Sequence, residues 1–183
     1  MEKENRWGTD DTLDLQARFA DFVIEKYGLH PKFVPLGMSC GGLQAIKLAA
    51  KYPEMISCLY LDNPVLNFMS CPCGFGVGEI LDGGDAIPEI LSALGYESIS
   101  QLLCCREMPM DKLPALVSHR IPAVLVAGLQ DNIAPYSENG CLLQQAYEKA
   151  GVPLALFLKP QAGHHPHGLE DPSAAVEFIL SHS

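Results

Sequence analysis

An apolar run changes abruptly into a helical pattern at Phe33-Val34-Pro35-Leu36-Gly37-Met38-Ser39-Cys40-Gly41-Gly42, which continues as Leu43-Gln44-Ala45-Ile46-Lys47-Leu48-Ala49-Ala50. The first part is typical of a buried strand and the last part of a helix. The Gly-x-Ser-x-Gly pattern between them indicates a nucleophile elbow, a tight turn that presents a serine hydroxyl above a strand end. Glycines are expected at both flanks because side chains there would clash with the neighbouring strand or helix. The stretch therefore predicts a reactive Ser39 at a helix N-terminus, where backbone N–H groups favour an oxyanion.

The composition of the chain is that of a globular protein. Its 183 residues, of which 48% are hydrophobic and 19% charged, suggest a single domain over 1–183. The net charge of −10, with 12 basic residues that never cluster, argues against a nucleic-acid partner. Residues 1–4 do not resemble a signal peptide, and no apolar run is long enough to span a bilayer. We therefore expect a cytoplasmic protein without a membrane partner.

The seven cysteines do not form a recognisable framework. An odd number fits poorly with closed disulfide pairing, and Cys71-Pro72-Cys73 and Cys104-Cys105 lack the paired Cys-x-x-Cys spacing of a zinc ribbon. We interpret them as reduced thiols that pack as small hydrophobic side chains, and we predict no cysteine metal site.

Strand-like and helix-like patterns alternate along the chain. The predicted strands are 33–38, 55–62, 121–128 and 152–158, and the predicted helices are 12–27 (capped by Asp10 or Thr12 and ended by Gly28), 40–52, 136–150 and 172–181. Near-continuous apolar strands separated by helices predict an α/β fold with a mostly parallel sheet flanked by helices. The segment 64–120, rich in glycine and proline and with short helical patterns at 87–94 and 98–105, is interpreted as a cap-like insertion over the strand ends.

Two later loops carry residues that would complete a catalytic set with Ser39. Asp131 follows the third predicted strand, and His164 follows the fourth. A serine hydroxyl is a weak nucleophile that needs a base within reach and a third group that orients the base. Because parallel strands end at the same edge of a sheet, these three residues are expected to converge there.

On these residues the chain resembles the C-terminal two-thirds of an α/β-hydrolase. The resemblance rests on the elbow, on Gly128-x-x-Asp131-x-x-x-Pro135, on Gly163-His164 and on the order Ser…Asp…His. Other stretches of the sequence, such as Asn63-Pro64-Val65, are similar to a bacterial esterase-like branch of the family. Members of that branch commonly carry arginine where this chain has Cys40.

The resemblance implies a role for each of these residues. Ser39 would be the nucleophile, His164 the general base and acid, and Asp131 the orienting carboxylate. The backbone N–H of Cys40 would donate to the oxyanion. No cofactor and no metal are implied.

Several alternatives stay open for the site. His165 is a second candidate for the base, His167 is expected to support it or to be structural, and Asp62 is a second candidate for the acid. Ser39 and Asp131 could also be simple turn residues. A metal site at the three histidines is disfavoured, because their loop has no evident carboxylate or cysteine partner elsewhere.

The elbow strand has almost no predicted strand before it. Only about 30 residues precede it, and most of them form one helix, whereas the family usually places several strands there. The loop that supplies the second oxyanion-hole N–H would be missing, and the elbow strand would be an open sheet edge. The segment Asn5-Arg6-Trp7-Gly8-Thr9 resembles the family loop that follows the preceding strand. Three explanations stay open: a fragment of a longer enzyme, a truncated relative, or a homodimer through the exposed edge.

We therefore expect a serine hydrolase that cleaves a small-molecule carboxylic ester by acyl transfer. One alternative is an impaired remnant that acts as a binding module at the same cleft. Another is a metal-dependent hydrolase built on the histidine loop. The substrate is not identified by the sequence, because the insertion at 64–120 shapes the pocket.

Overall fold

A computed structural model describes residues 6–182, except for the side chain of Cys105. Residues 1–4, which carry the prediction about a signal peptide, and Asn5 of the predicted loop lie outside the described residues. Within residues 6–182, no helix combines the length and the apolar character that a membrane crossing requires.

Four parallel strands form the sheet, in the spatial order β1-β2-β3-β4. Their bounds are β1 Leu36–Met38, β2 Leu59–Asp62, β3 Ala123–Gly128 and β4 Leu154–Lys159. All six residues of β3 are buried, because β3 has a strand on each side and helices on both faces. The predicted α/β fold with a mostly parallel sheet is confirmed.

Seven α-helices lie within the described residues. They are α1 Asp10–Tyr27, α2 Cys40–Lys51, α3 Ala86–Leu94, α4 Ile99–Cys105, α5 Leu113–Ser118, α6 Gly140–Ala150 and α7 Ser173–Ser181. Short 3-10 turns occupy Pro53–Met55, Leu81–Gly84, Pro109–Lys112 and Tyr136–Glu138.

The two faces of the sheet are covered by different helices. On one face, Leu61 and Leu125 share a buried cluster with side chains of α2, α5 and α6. On the other face, Val124 and Val126 pack against Ala175 of α7. Successive side chains of a strand point to opposite faces, so the apolar run of β3 serves both layers.

Residues 64–120 divide between two cores. Ile90 of α3 and Leu102 of α4 share a buried cluster with Trp7 and with Leu43 of α2. In contrast, Leu116 of α5 belongs to the cluster on the sheet. The structure therefore places α3 and α4 over the elbow helix, while α5 is part of the main helical layer.

The segment before α1 is fastened to this α3–α4 layer. The guanidinium of Arg6 lies 2.5 Å from a carboxylate oxygen of Asp82 and 2.7 Å from one of Glu89. The indole of Trp7 is fully buried, donates to Glu89 over 3.3 Å and packs edge-on against Phe68. These contacts keep the residues before α1 beside the elbow helix.

Some predicted boundaries are wrong. The helix predicted from Thr12 begins at Asp10, and its N-cap is Thr9 without a side-chain capping bond, so the predicted cap at Asp10 or Thr12 is incorrect. The predicted strand at 33–38 is interrupted because Pro35 has no N–H for the ladder. Phe33 makes an isolated bridge to Ile56, and regular pairing begins only at Leu36.

The outer strand β1 and helix α1 expose apolar side chains. Leu36 is 68% exposed and Met38 44%, and α1 exposes Leu15, Phe19 and Phe22. A cavity of about 740 Å³ lies between α1, β1 and the start of α2. Among the described residues β1 pairs only with β2, so its other edge is open.

Candidate active site

The turn between β1 and α2 holds Ser39 in an unusual backbone conformation. Its φ of 52° and ψ of −122° lie in a region that residues other than glycine rarely adopt. Two backbone hydrogen bonds with residues outside α2 fix it there: Ser39 N donates to Asp62 O over 3.0 Å, and Val65 N donates to Ser39 O over 3.1 Å. The end of β2 and the loop after it therefore hold the turn on both sides.

Two of the three glycines of the elbow are sterically required. A Cβ on Gly37 would lie 2.6 Å from Gly41 O, and one on Gly42 would lie 2.5 Å from Pro64 Cβ. A Cβ on Gly41 would meet no atom within 4 Å. The expected steric reason thus holds for Gly37 but not for Gly41, and the close contact belongs to Gly42 because Pro64 packs against it.

Ser39, His164 and Asp131 come together at the carboxyl edge of the sheet. His164 Nε2 lies 3.0 Å from Ser39 Oγ, and His164 Nδ1 lies 2.8 Å from Asp131 Oδ2. His164 is 8% exposed, and the side chain of Asp131 is fully buried. The carboxylate can only accept, so Nδ1 carries a proton and Nε2 presents a lone pair to the serine hydroxyl. This is the geometry of a nucleophile, a base and an orienting acid.

The carboxylate of Asp131 is held by its own loop. Its Oδ1 accepts from Ile133 N and Ala134 N, each over 2.8 Å. Burial by itself would raise the pKa of Asp131, but the hydrogen bond from His164 and those two backbone N–H groups outweigh it and lower the pKa below its usual value. Asp131 therefore stays ionised next to the imidazole.

Asn63 joins the three loops that follow β2, β3 and β4. Its Nδ2 donates to Gly163 O over 3.3 Å and to His164 O over 3.0 Å, while its Oδ1 accepts from Gly128 N over 2.8 Å. Its φ of 44° is one that asparagine tolerates better than most residues. The sequence predicts no such bridging role for Asn63, which it shows only as the residue after the second predicted strand and as part of the Asn63-Pro64-Val65 resemblance. The signal that it offered was an asparagine directly after a strand and before Pro64.

The other candidates occupy separate positions. His165 is exposed, and its ring packs edge-on against that of His164 at 4.9 Å. Asp62 is fully buried beside His167, whose Nδ1 lies 3.2 Å from Asp62 Oδ1, and it also accepts from Gly168 N. The structure therefore brings Asp131, not Asp62, to His164, and it brings His164, not His165, to Ser39. Asp62, the last residue of β2, therefore contacts the histidine loop through His167.

Cys40 occupies the first position of α2. Its backbone N–H has no acceptor within the helix and is available to an oxyanion beside Ser39. Burial raises the pKa of the Cys40 thiol, although nearby Arg6 opposes this. The thiol is therefore a poor competing nucleophile. The six cysteines whose side chains are described form no disulfide, and Cys58, Cys71 and Cys73 are buried.

Comparison with known proteins finds relatives by sequence. No family model matches the chain. The acylamino-acid-releasing enzyme of Mus musculus is 26% identical over 159 residues, and that of Rattus norvegicus is 26% identical over 164 residues. Each match covers 86% of this chain and 21% of the relative, so the chain spans about a fifth of the length of these enzymes.

Solved structures share the fold. Dipeptidyl peptidase 4 of Porphyromonas gingivalis superposes with a TM-score of 0.68 at 14% identity, over 93% of this chain and 22% of the other. Acylaminoacyl peptidase of Pyrococcus horikoshii gives 0.64 at 12% identity, over 82% and 23%. The chain has the α/β-hydrolase fold over the matched part, as the resemblance implied. Both of these solved structures are named as peptidases.

Proposed function

We propose that this α/β-hydrolase chain is a serine hydrolase that cleaves by acyl transfer. The supporting observation is the continuous hydrogen-bonded chain from Ser39 Oγ through both ring nitrogens of His164 to Asp131 Oδ2. The strained backbone of Ser39 and the free N–H of Cys40 at a helix start add to it.

Each residue has a defined part in the reaction. Ser39 Oγ attacks the carbonyl carbon of the substrate while His164 Nε2 takes the hydroxyl proton, and the imidazolium that forms is stabilised by Asp131. The oxygen that becomes negative in the tetrahedral intermediate accepts from Cys40 N–H. His164 then gives its proton to the leaving group, and a water molecule releases the acyl group from Ser39 by the same steps.

For the substrate we propose a peptide whose first residue is acylated. The sequence alone favoured a small carboxylic ester, and the same chemistry would cleave an activated ester. The relatives are named as an acylamino-acid-releasing enzyme and two peptidases. These names favour an amide bond, rather than an ester bond, as the bond that is cleaved.

Covalent labelling tests the proposal. A fluorophosphonate probe should label wild-type protein at Ser39 and should not label Ser39→Ala. Asp131→Asn should slow hydrolysis by a factor on the order of 10⁴, because the imidazole then takes the wrong tautomer. Circular dichroism of each variant serves as the folding control. Absence of labelling in folded wild-type protein contradicts the proposal and favours a binding module.

Two chromogenic substrates separate the substrate classes. N-acetyl-alanine p-nitroanilide carries an acylated residue on an amide, and p-nitrophenyl acetate is an activated ester. Turnover of both, each lost in Ser39→Ala, agrees with the peptidase proposal. Turnover of the ester alone indicates the esterase expected from the sequence.

A further inference from the structure

The loop after β4 contains an arrangement that acyl transfer does not use. Its three histidines, His164, His165 and His167, lie with ring centroids 4.8–5.2 Å apart. One nitrogen of each ring lies within 4.8 Å of the corresponding nitrogens of the other two. Three imidazoles on a tetrahedral Zn²⁺, at Zn–N of about 2.1 Å, would have centroids about 5.2 Å apart. The ring centroids are therefore at the spacing of a three-histidine metal site, while the nitrogens would have to approach one another to about 3.4 Å.

Two of the three rings are oriented as metal ligands usually are. His164 Nδ1 lies 2.8 Å from buried Asp131, and His167 Nδ1 lies 3.2 Å from buried Asp62. A carboxylate on one ring nitrogen fixes the tautomer and leaves the other nitrogen as the donor to a metal. In both histidines that donor is Nε2.

The loop also has a stable support and an entry path. Lys159 Nζ donates to Pro166 O and Gly168 O, each over 3.1 Å, and so holds the backbone around His167. His165 and His167 line a cleft of about 990 Å³ that opens outward. His165 is exposed, so its ring can turn to bring a nitrogen toward those of the other two histidines.

We propose that these three histidines form an inhibitory site for a divalent transition cation such as Zn²⁺. Because Nδ1 of His164 is held by Asp131, only Nε2 can bind a cation, and this nitrogen is bonded to Ser39 Oγ at 3.0 Å. A cation on Nε2 displaces the serine hydroxyl and removes the base. Metal binding and acyl transfer are therefore mutually exclusive. The cation site depends only on the loop, whereas its inhibitory effect also rests on the proposed function.

Calorimetric titration with ZnCl₂ tests the site without reference to activity. Wild-type protein should bind one Zn²⁺ per chain at this loop. His165→Ala and His167→Ala should each weaken binding at least about tenfold. His119→Ala is the matched control, since His119 is an exposed histidine at the end of α5, and it should bind as wild type does. Mg²⁺, which prefers oxygen ligands, should not compete.

His165→Ala separates loss of the site from a folding defect. His167→Ala removes a partner of Asp62 and can disturb the loop, whereas His165 is exposed and its described contacts are with the rings of His164 and His167. Equal Zn²⁺ affinity in His165→Ala and His119→Ala, or no binding by wild type, overturns the proposal.

Fluorophosphonate labelling tests inhibition. Zn²⁺ should slow labelling of Ser39 in wild-type protein, EDTA should restore it, and His165→Ala should be less sensitive. Bound Zn²⁺ that leaves labelling unchanged, or EDTA that abolishes hydrolysis, overturns the inhibitory role. If Ser39 is never labelled while calorimetry shows the site, the proposed function fails and the cation site stands.

Discussion

At the scale of residues, the site depends on close backbone approaches as much as on its polar groups. Ser39 keeps its conformation because Asp62 O and Val65 N hold its backbone, and Val65 follows the proline that packs on Gly42. Little space is left where α2 begins, since a Cβ at Gly42 would be 2.5 Å from Pro64 Cβ.

Adjacent glycines should respond oppositely to the same substitution. We expect Gly42→Ala to lower the free energy of unfolding by about 1–3 kcal/mol, because the methyl group overlaps Pro64. Gly41→Ala should be neutral or raise it by up to about 1 kcal/mol, because alanine favours the helix and meets no atom. Urea denaturation measures both. Equal effects would contradict the packing described for the elbow.

The sequence predicted which residues form the site better than it predicted what holds them. The Gly-x-Ser-x-Gly spacing and the strand-end positions of Asp131 and His164 are local features, and the structure brings these three residues together. The roles of Gly42 and Asn63 depend on contacts across 22 residues or more, with Pro64 and Gly128, and no local pattern contains them.

At the scale of elements, the strand-end loops behave as one unit because a single side chain joins them. Asn63 donates to the loop after β4 and accepts from Gly128, the last residue of β3. Gly128 also permits this closeness, because a Cβ there would overlap Ala162 and Gly163. The acid loop and the base loop thus keep their relative position.

Replacing the side-chain NH₂ group of Asn63 should weaken the link between the acid loop and the base loop. Asn63→Asp keeps the acceptor for Gly128 N but directs a carboxylate oxygen at two carbonyl oxygens. We expect a loss of about 2–4 kcal/mol in the free energy of unfolding and slower labelling of Ser39.

Asn67→Asp is the matched control for that experiment. The Asn67 side chain accepts from Met69 N over 2.9 Å, and aspartate can accept in the same way. Its unfolding should therefore stay close to that of wild type. Similar losses in both variants would contradict the role given to Asn63.

The sequence predicts the type of each helix and strand better than it predicts where the element begins and ends. Apolar runs identified all four strands, but the paired length depends on the neighbour: β1 pairs over three residues because Pro35 interrupts the ladder. The helix predicted over 136–150 is divided at Asn139, whose φ of −130° and ψ of −84° are not helical. The side-chain oxygen of Asn139 accepts from Leu66 N and Asn67 N. Hydrophobic periodicity does not predict such long-range hydrogen bonds.

At the scale of the whole molecule, one side of the protein exposes apolar side chains and an unpaired strand edge. The interior, by contrast, buries cysteine thiols away from water. The open side consists of β1 and the outer face of α1, with Leu36 68% exposed. Such an edge offers unpaired backbone groups and apolar area to another chain. The interior holds Cys58 at 0% exposure, where β2 begins.

We expect the protein to self-associate through the open side. Leu36→Lys should lower the concentration-dependent association measured by sedimentation velocity, because it places a charge at the strand edge. Leu180→Lys is the control, as Leu180 is 71% exposed but lies on α7 across the sheet. An equal effect of both substitutions would point to general solubility rather than to this edge.

Alkaline pH should weaken the fold through Cys58. Burial raises the pKa of its thiol from 9.0 to about 11. The folded state resists ionisation of this thiol more than the unfolded state does. The contribution of Cys58 to the free energy of unfolding is therefore complete below about pH 9 and declines as the pH rises through 11. We expect Cys58→Ala to reduce the loss of unfolding free energy between pH 9 and 11 by about 2–3 kcal/mol. Parallel pH profiles for the two proteins would contradict this.

The backbone conformation of Ser39 sets stability against the proposed chemistry at a single position. A residue with a side chain at φ 52° and ψ −122° costs the fold about 1–3 kcal/mol, and glycine would relieve most of that cost. Ser39→Gly should therefore raise the free energy of unfolding while it removes the hydroxyl that the proposed reaction needs. At this one position, the fold is more stable without the side chain on which the proposed chemistry depends.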